Sequence, residues 1–276
     1  MASTAFQTQY RQEFIAGFEQ RQSLLRQSVT TEAQVNGQSA VFLVASSGSA
    51  TAVTRGVDGL IPARNDSLTQ TTATLVEWHD LVRRTGFNLY ASQGDGRRIM
   101  QQTTMGVLNR KIDLDILATL ETGTQDNGTA ATASLDMVMY AKAALGANAV
   151  PMDGNLFAAI SPAFEAYLMQ VKEFASADYV NNKPFANSLT MFRWVGVNFI
   201  VHPNITGIGT SLEKCLMWHK DAIGHACDLE SIRTDADYDR EQDYSWARAS
   251  AFMGSALLQN SGVFYMKHDG SAYAAQ

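Results

Sequence analysis

Cys215, His219, His225 and Cys227 are the residues in this chain whose types and closeness could hold a metal ion. Cys215 and His219 stand at i and i+4, and His225 and Cys227 at i and i+2, so each pair can share a face of one element. The spacing nevertheless matches none of the common zinc patterns, which use short C-x-x-C or H-x₃₋₅-H pairs. The neighbours Leu216, Met217, Trp218, Ala222 and Ile223 fit buried structure in which the sulfurs act as small apolar fillers. No metal site and no cofactor are expected here. The alternative that keeps these four residues in play is an oligomeric α/β metal-dependent enzyme, marked by stoichiometric zinc in the purified protein.

Other chemistry-bearing residues lead to the same place. Asp235, Asp237 and Asp239 are spaced like the start of a calcium loop, but Arg240 stands where the glycine belongs and Trp246 where the glutamate belongs. A solvated or arginine-pairing acidic face is the expectation. Gly207 and Gly209 lack the third glycine of a dinucleotide fingerprint, and no phosphate loop or nucleophile elbow occurs. His79 and Asp80 follow Trp78 at a strand end with no nucleophile close in sequence. The glycosylation patterns at Asn65, Asn127 and Asn204 carry no meaning without an export signal. No catalytic residue is assigned, and the chain is not expected to be an enzyme.

The elements that would position these residues follow from periodicity. Residues 4–27 predict an amphipathic helix, with Phe6, Tyr10, Phe14 and Phe18 recurring every fourth position. One aromatic stripe cannot stabilise such a helix alone, so it docks on its own domain or on a neighbouring subunit. Strands are predicted at 37–45 and 72–78. The polar, glycine-containing stretch between them is too long for an ordinary loop and predicts a protruding hairpin with its stem in those strands.

Residues 94–122 predict a long helix, buried through Met105, Leu108, Ile112, Ile116 and Leu120, broadened by Val107, Leu114 and Leu117, with Lys111 and Asp115 paired outside. Gly123 and the Asp126-Asn127-Gly128 turn stop it. Ser134 caps a further helix to about Leu145, with Gly146 just past its end. Asp153-Gly154 leads into a strand at 156–160, and Ser161-Pro162 opens the next helix. Arg193–Val201 reads as one strand, and 250–258 and 262–267 as two strands joined by a turn at 259–261.

Composition limits the function classes. The chain has 276 residues, and only 17% are charged, against about 25% in typical soluble proteins. Ser, Thr, Asn and Gln make up the difference, through compositional drift or because much of the surface faces other protein. A net charge of −6 argues against a non-specific nucleic-acid binder. Two cysteines suit a reducing compartment, and the N-terminus lacks the pattern of an export signal. No apolar run is long enough to span a bilayer, so no membrane partner is expected.

The charge is also unevenly placed. Residues 1–110 hold ten Arg, eight acids and no Lys, a balance of +2; the remainder carries −8. A mildly basic arm and an acidic body can attract each other.

The order of parts resembles the major capsid proteins of tailed bacteriophages, of the Hong Kong 97-type fold. Gly37-Gln-Ser-Ala-Val-Phe-Leu-Val44 is similar to the opening strand of that family's extended loop, and Thr74-Leu-Val-Glu-Trp-His-Asp80 to its return strand. Leu156–Pro162 and Phe174–Val180 resemble the core of its axial domain. The resemblance covers nearly the whole chain. It implies an α+β fold: an N-terminal arm over 1–35, an extended loop over 36–80, a peripheral domain over 81–133 with its spine helix at about 94–122, an axial domain over 134–227, and a return to the peripheral domain over 228–276.

It further implies a structural protein that self-assembles into hexamers and pentamers of an icosahedral head around double-stranded DNA, contacted non-specifically. A separate scaffolding protein and a portal are expected partners. The expected location is the virion, assembled in the bacterial host cytoplasm. The founding phage crosslinks its shell through a loop lysine and a partner asparagine. Residues 1–110 here contain no lysine, so a shell without covalent crosslinks is expected. Candidate intersubunit contacts are the aromatic stripe of the arm, the arginines Arg55, Arg64, Arg83, Arg84, Arg97 and Arg98, and the acids Asp235, Asp237, Asp239 and Glu241 with their neighbours Asp228, Glu230 and Asp243. Arg suits bidentate pairing better than Lys; such pairs can equally lie within one subunit or stay solvated.

Overall fold

Alternating apolar residues and well-placed caps give the described residues three sheets, one long helix and several short ones. The computed structural model describes residues 22–32, 35, 37–48, 50–64, 66–86, 96–175, 191–228 and 232–274. The predicted aromatic helix therefore falls mostly outside the described residues, including Phe6, Tyr10, Phe14 and Phe18. Where its predicted end is described there is no α-helix: Arg26–Ser28 form a single 3₁₀ turn.

The described strands and helices are β1 (Thr30–Glu32), β2 (Ser39–Ser46), β3 (Ser67–Thr74), β4 (Val76–Thr85), α1 (Gly96–Leu120), α2 (Leu135–Ala147), β5 (Leu156–Ile160), α3 (Pro162–Leu168), α4 (Lys172–Ala175), β6 (Met191–Trp194), β7 (Val197–Val201), β8 (Glu213–His219), β9 (Ile223–Cys227), β10 (Arg233–Asp239), β11 (Tyr244–Leu257) and β12 (Val263–His268). The fold is α+β. No helix among the described residues is long and apolar enough to cross a membrane.

The chain divides into two compact units, and α1 and β11 each run from one into the other. The first unit draws its described residues from 22–23, 77–112 and 232–252. In it β10 and β11 pair antiparallel from Arg233↔Ser250 to Asp239↔Tyr244, and β4 also pairs with β11. Leu108 of α1 packs on Ala249 and Ala251, with Trp78, Met105 and Ile232 around them. The alanines let helix and sheet approach closely. Lys111 lays its ammonium 3.7 Å from the centre of the Trp78 ring, a cation–π contact, not an ion pair with Asp115.

The second unit holds 24–76, 113–228 and 253–274. Its main sheet has the order β12-β8-β5-β7-β6. β5 and β7 run parallel, and every other neighbour is antiparallel. Ser161 caps α3 by accepting from the Phe164 N–H at 3.1 Å, with Pro162 at the first helical position. Phe164, Phe199, Trp218 and Leu156 fill the core. On α1, Ile112, Ile116, Leu117 and Leu120 are buried, but Val107 and Leu114 are exposed, so the apolar stripe is narrower than the sequence suggested.

Several boundaries moved for local reasons. The residues read as one strand at Arg193–Val201 form a hairpin, because Val195 and Gly196 both take positive φ, 52° and 78°. Helix α2 runs through Gly146 to Ala147, and the left-handed residue after it is Ala149. The strand predicted at 72–78 is two strands broken at Leu75. The final two strands do not form a hairpin: β11 ends against β9, and β12 pairs with β8 in the other sheet.

Candidate functional site

The four metal-type residues are not gathered. Cys215 and His219 lie on β8, and His225 and Cys227 on β9, in different sheets. Among the described residues no three His, Cys, Asp or Glu side chains come together as a metal-binding group. Each has local work instead. Burial pushes the Cys215 thiol up to about 12 and raises Cys227 as well, so both stay protonated fillers. The Asp221 N–H donates to His219 Nδ1 at 3.2 Å, leaving Nε2–H to donate to Asp153 at 3.2 Å. Ser255 donates its hydroxyl proton to Asp115 at 2.6 Å and accepts from His225 Nδ1–H at 2.9 Å. Burial pushes His225 down to about 4, so the ring is neutral.

The acidic residues 235, 237 and 239 are brought to one face of β10, because successive side chains of a strand alternate. Asp235 faces Arg248 across the ladder and accepts from its guanidinium at 3.0 Å. Asp239 accepts from the backbone N–H groups of Glu241 and Gln242. These bonds hold its carboxyl below the ordinary range and shape the turn into β11. Arg83 lies over the Tyr244 ring at 5.1 Å. Asp237, Glu241 and Arg84 remain exposed. The strand is thus partly self-neutralised, which the alternating acids alone did not reveal.

The feature that stands apart is the hairpin. β2 and β3 pair antiparallel from Ser39↔Thr74 to Ser46↔Ser67, and every described residue from 47 to 64 is exposed. Its tip is shaped: Gly56 N–H donates to Leu60 O at 3.0 Å and Gly59 N–H to Gly56 O at 2.9 Å. Arg55 donates to the Gly59 carbonyl at 3.3 Å, and Arg64 pairs with Asp66 at 2.7 Å. Apolar side chains stand outward there, Val57 at 107% exposure, Leu60 at 73% and Ile61 at 66%. Loops of a self-sufficient monomer seldom expose so many.

The hairpin root is seated by small residues. Ala40 and Ala73 pack on Ala226 and Ala256, with Phe42 and Leu75 beside them. A Cβ on Gly224 would meet the Phe42 ring, and one on Gly254 would collide with the Thr74 carbonyl oxygen. The glycines at these two positions are therefore required by close approach. A run of Ala and Gly on β9 and β11 was the available sequence signal, and it is too weak to find without the pairing.

A family model described as phage capsid protein matches residues 2–269. The chain superimposes on a solved structure titled "Mycobacterium phage Che8" with a TM-score of 0.76 at 14% identity, covering 96% of this chain and 98% of that one. The "Capsid structure of the Cyanophage P-SCSP1u" follows at 0.73 and 14%, covering 96% and 93%. "The head structure of Helicobacter pylori bacteriophage KHP40" gives 0.73 at 10%, covering 96% of each chain. No curated protein matches by sequence. The fold is that of the phage capsid structures, the Hong Kong 97 type.

Proposed function

Since the chain belongs to the phage capsid protein family, we propose that its copies tile an icosahedral phage head as hexamers and pentamers around double-stranded DNA. A structural role in the virion capsid, and not a catalytic one, is what family and fold support. The observation that supports the finer reading is the hairpin, whose Val57, Leu60 and Ile61 stand outward and exposed at its tip. In this reading it lies across a neighbouring copy. The aromatic arm would lace between copies, a scaffolding protein would guide assembly in the host cytoplasm, a portal would complete the shell, and DNA would be contacted without sequence preference. The division into arm, loop, peripheral and axial domains is part of the same proposal.

Arg55 and Arg64 would add charge to the hairpin contact. Of the acidic residues they could meet on a neighbour, Asp235 and Asp239 are already engaged within their own chain. Asp243 accepts from the Tyr238 hydroxyl, Asp228 is half-buried and Glu230 lies outside the described residues, which leaves Asp237 and Glu241 as the exposed candidates. Arg83 is stacked on Tyr244 and is the weaker candidate; Arg84 is exposed and stays in play. The absence of Lys from residues 1–110 supports a shell without covalent crosslinks. Electron microscopy of the purified chain tests the reading: capsomers, sheets or closed shells are expected, and a monodisperse monomer at high concentration with scaffolding protein present overturns it.

A further inference from the structure

At Leu24 and Leu25 the backbone is tied to an acid far along the chain. The Leu24 N–H donates to Asp113 Oδ2 at 3.0 Å, and the Leu25 N–H to Asp113 Oδ1 at 3.2 Å. Asp113 sits on α1 between Ile112 and the buried Ile116, and it is fully buried itself. His202, equally buried just after β7, places its Nε2 3.2 Å from the same carboxylate. The Asn204 N–H donates to His202 Nδ1 at 3.1 Å, which makes Nδ1 the acceptor, so the N–H at Nε2 donates to Asp113.

Burying a carboxylate is costly unless donors surround it, and two of these donors are backbone groups that need an acceptor of their own. The tie continues beyond the pair. Leu25 is fully buried, Trp218 Nε1–H donates to the Ser28 carbonyl at 2.9 Å, and Thr30–Glu32 pair in parallel with β9.

We propose that the buried Asp113–His202 pair fastens the chain at Leu24–Leu25, so that Leu24 to Glu32 belongs to the body of the subunit and any segment reaching a neighbour ends at Ser23. Asp113 and His202 are positioning residues: they set where the arm departs, and through that where it can go. The fastening stands on the geometry alone; only its use in guiding an arm rests on the capsid reading.

Trypsin tests it on the unassembled full chain, because Arg26 lies inside the fastened stretch. Fragments beginning at Gln27 are counted by mass, whatever is cut upstream. In the native protein Arg26 is expected to resist, and the Leu24 and Leu25 amides to exchange slowly. Asp113→Ala removes the acceptor from both amides and is expected to raise cleavage after Arg26 by roughly 10- to 100-fold. His202→Phe should give a smaller rise, and His202→Gln, which keeps a donor, the least.

Amide protection in Leu156–Ile160 reports whether the core is intact. Arg26 protection unchanged in Asp113→Ala with that core intact overturns the proposal. So does a native chain cut at Arg26 as fast as an unfolded one. If Asp113→Ala loses the core, Asp113→Asn decides through the two amides: faster exchange supports the fastening, and an unchanged rate overturns it. Shell formation is scored separately by microscopy, so failure of the capsid reading leaves this result readable.

Discussion

Replacing Val57, Leu60 and Ile61 together by Ser separates assembly from folding. Full burial of each of these side chains contributes about 1.5–3 kcal/mol, and all three stand mostly outside in the single chain. Their cover by a neighbour is thus worth about 5 kcal/mol gross. Ordering the loop and imperfect fit remove a good part of that, leaving roughly 2–3 kcal/mol per contact, or about 100-fold in association. The same three changes touch nothing in the subunit core, so its own stability should move by no more than about 0.5 kcal/mol. The assay pairs a thermal melt of unassembled protein with sedimentation and microscopy over a concentration series. An unchanged melt with assembly shifted to far higher concentration is expected. Normal shells from the triple variant at the native threshold would refute the idea that the tip is an intersubunit contact.

Gly254→Val should lower the thermal midpoint, since its side chain would enter the Thr74 carbonyl; overpacking of about 1–3 kcal/mol corresponds to several degrees. Gly56→Ala, with only the Leu60 carbonyl 3.7 Å from a new Cβ, is the control that should leave the midpoint in place. Stability should also fall in mild acid. Burial holds His225 down to about 4, while the unfolded chain titrates near 6.5. The unfolded state therefore binds more protons between those values, and stability drops as pH falls through that window, by up to roughly 3 kcal/mol. His268 is shifted the same way by burial. Urea titrations at pH 7 and 4.5 read the slope, and His225→Gln should flatten it. Thiol reagents at pH 8 should leave Cys215 and Cys227 unmodified in the native protein and label both in urea, because the two are fully buried and raised.

How far the candidate surface was readable depended on the range of the forces involved. The hairpin was legible, because its strand at 39–46 and the long polar stretch after it leave few alternatives. Its register was not: the return strand begins at Ser67, among Thr and Gln residues with no apolar alternation of their own. Arg55 and Arg64 were visible as loop charges. That Asp235 is already answered by Arg248 depended on a ladder joining β10 to β11, and both strands were missed or cut short.

Local order along the chain follows from what neighbouring residues settle among themselves. The Ser134 and Ser161 caps, the strand at Leu156–Ile160 and the long helix Gly96–Leu120 all rest on groups within a few residues of each other. Tertiary structure alone decided which distant backbone groups meet. Thr30–Glu32 pairs with β9, almost 200 residues on. β11 and β12, adjacent in sequence, end in different sheets. Asp113, a charged residue beside Ile112 on a helix, points inward because two backbone amides and an imidazole wait there. A buried charge is stable only when donors from elsewhere in the chain surround it, and periodicity along one helix holds no record of them.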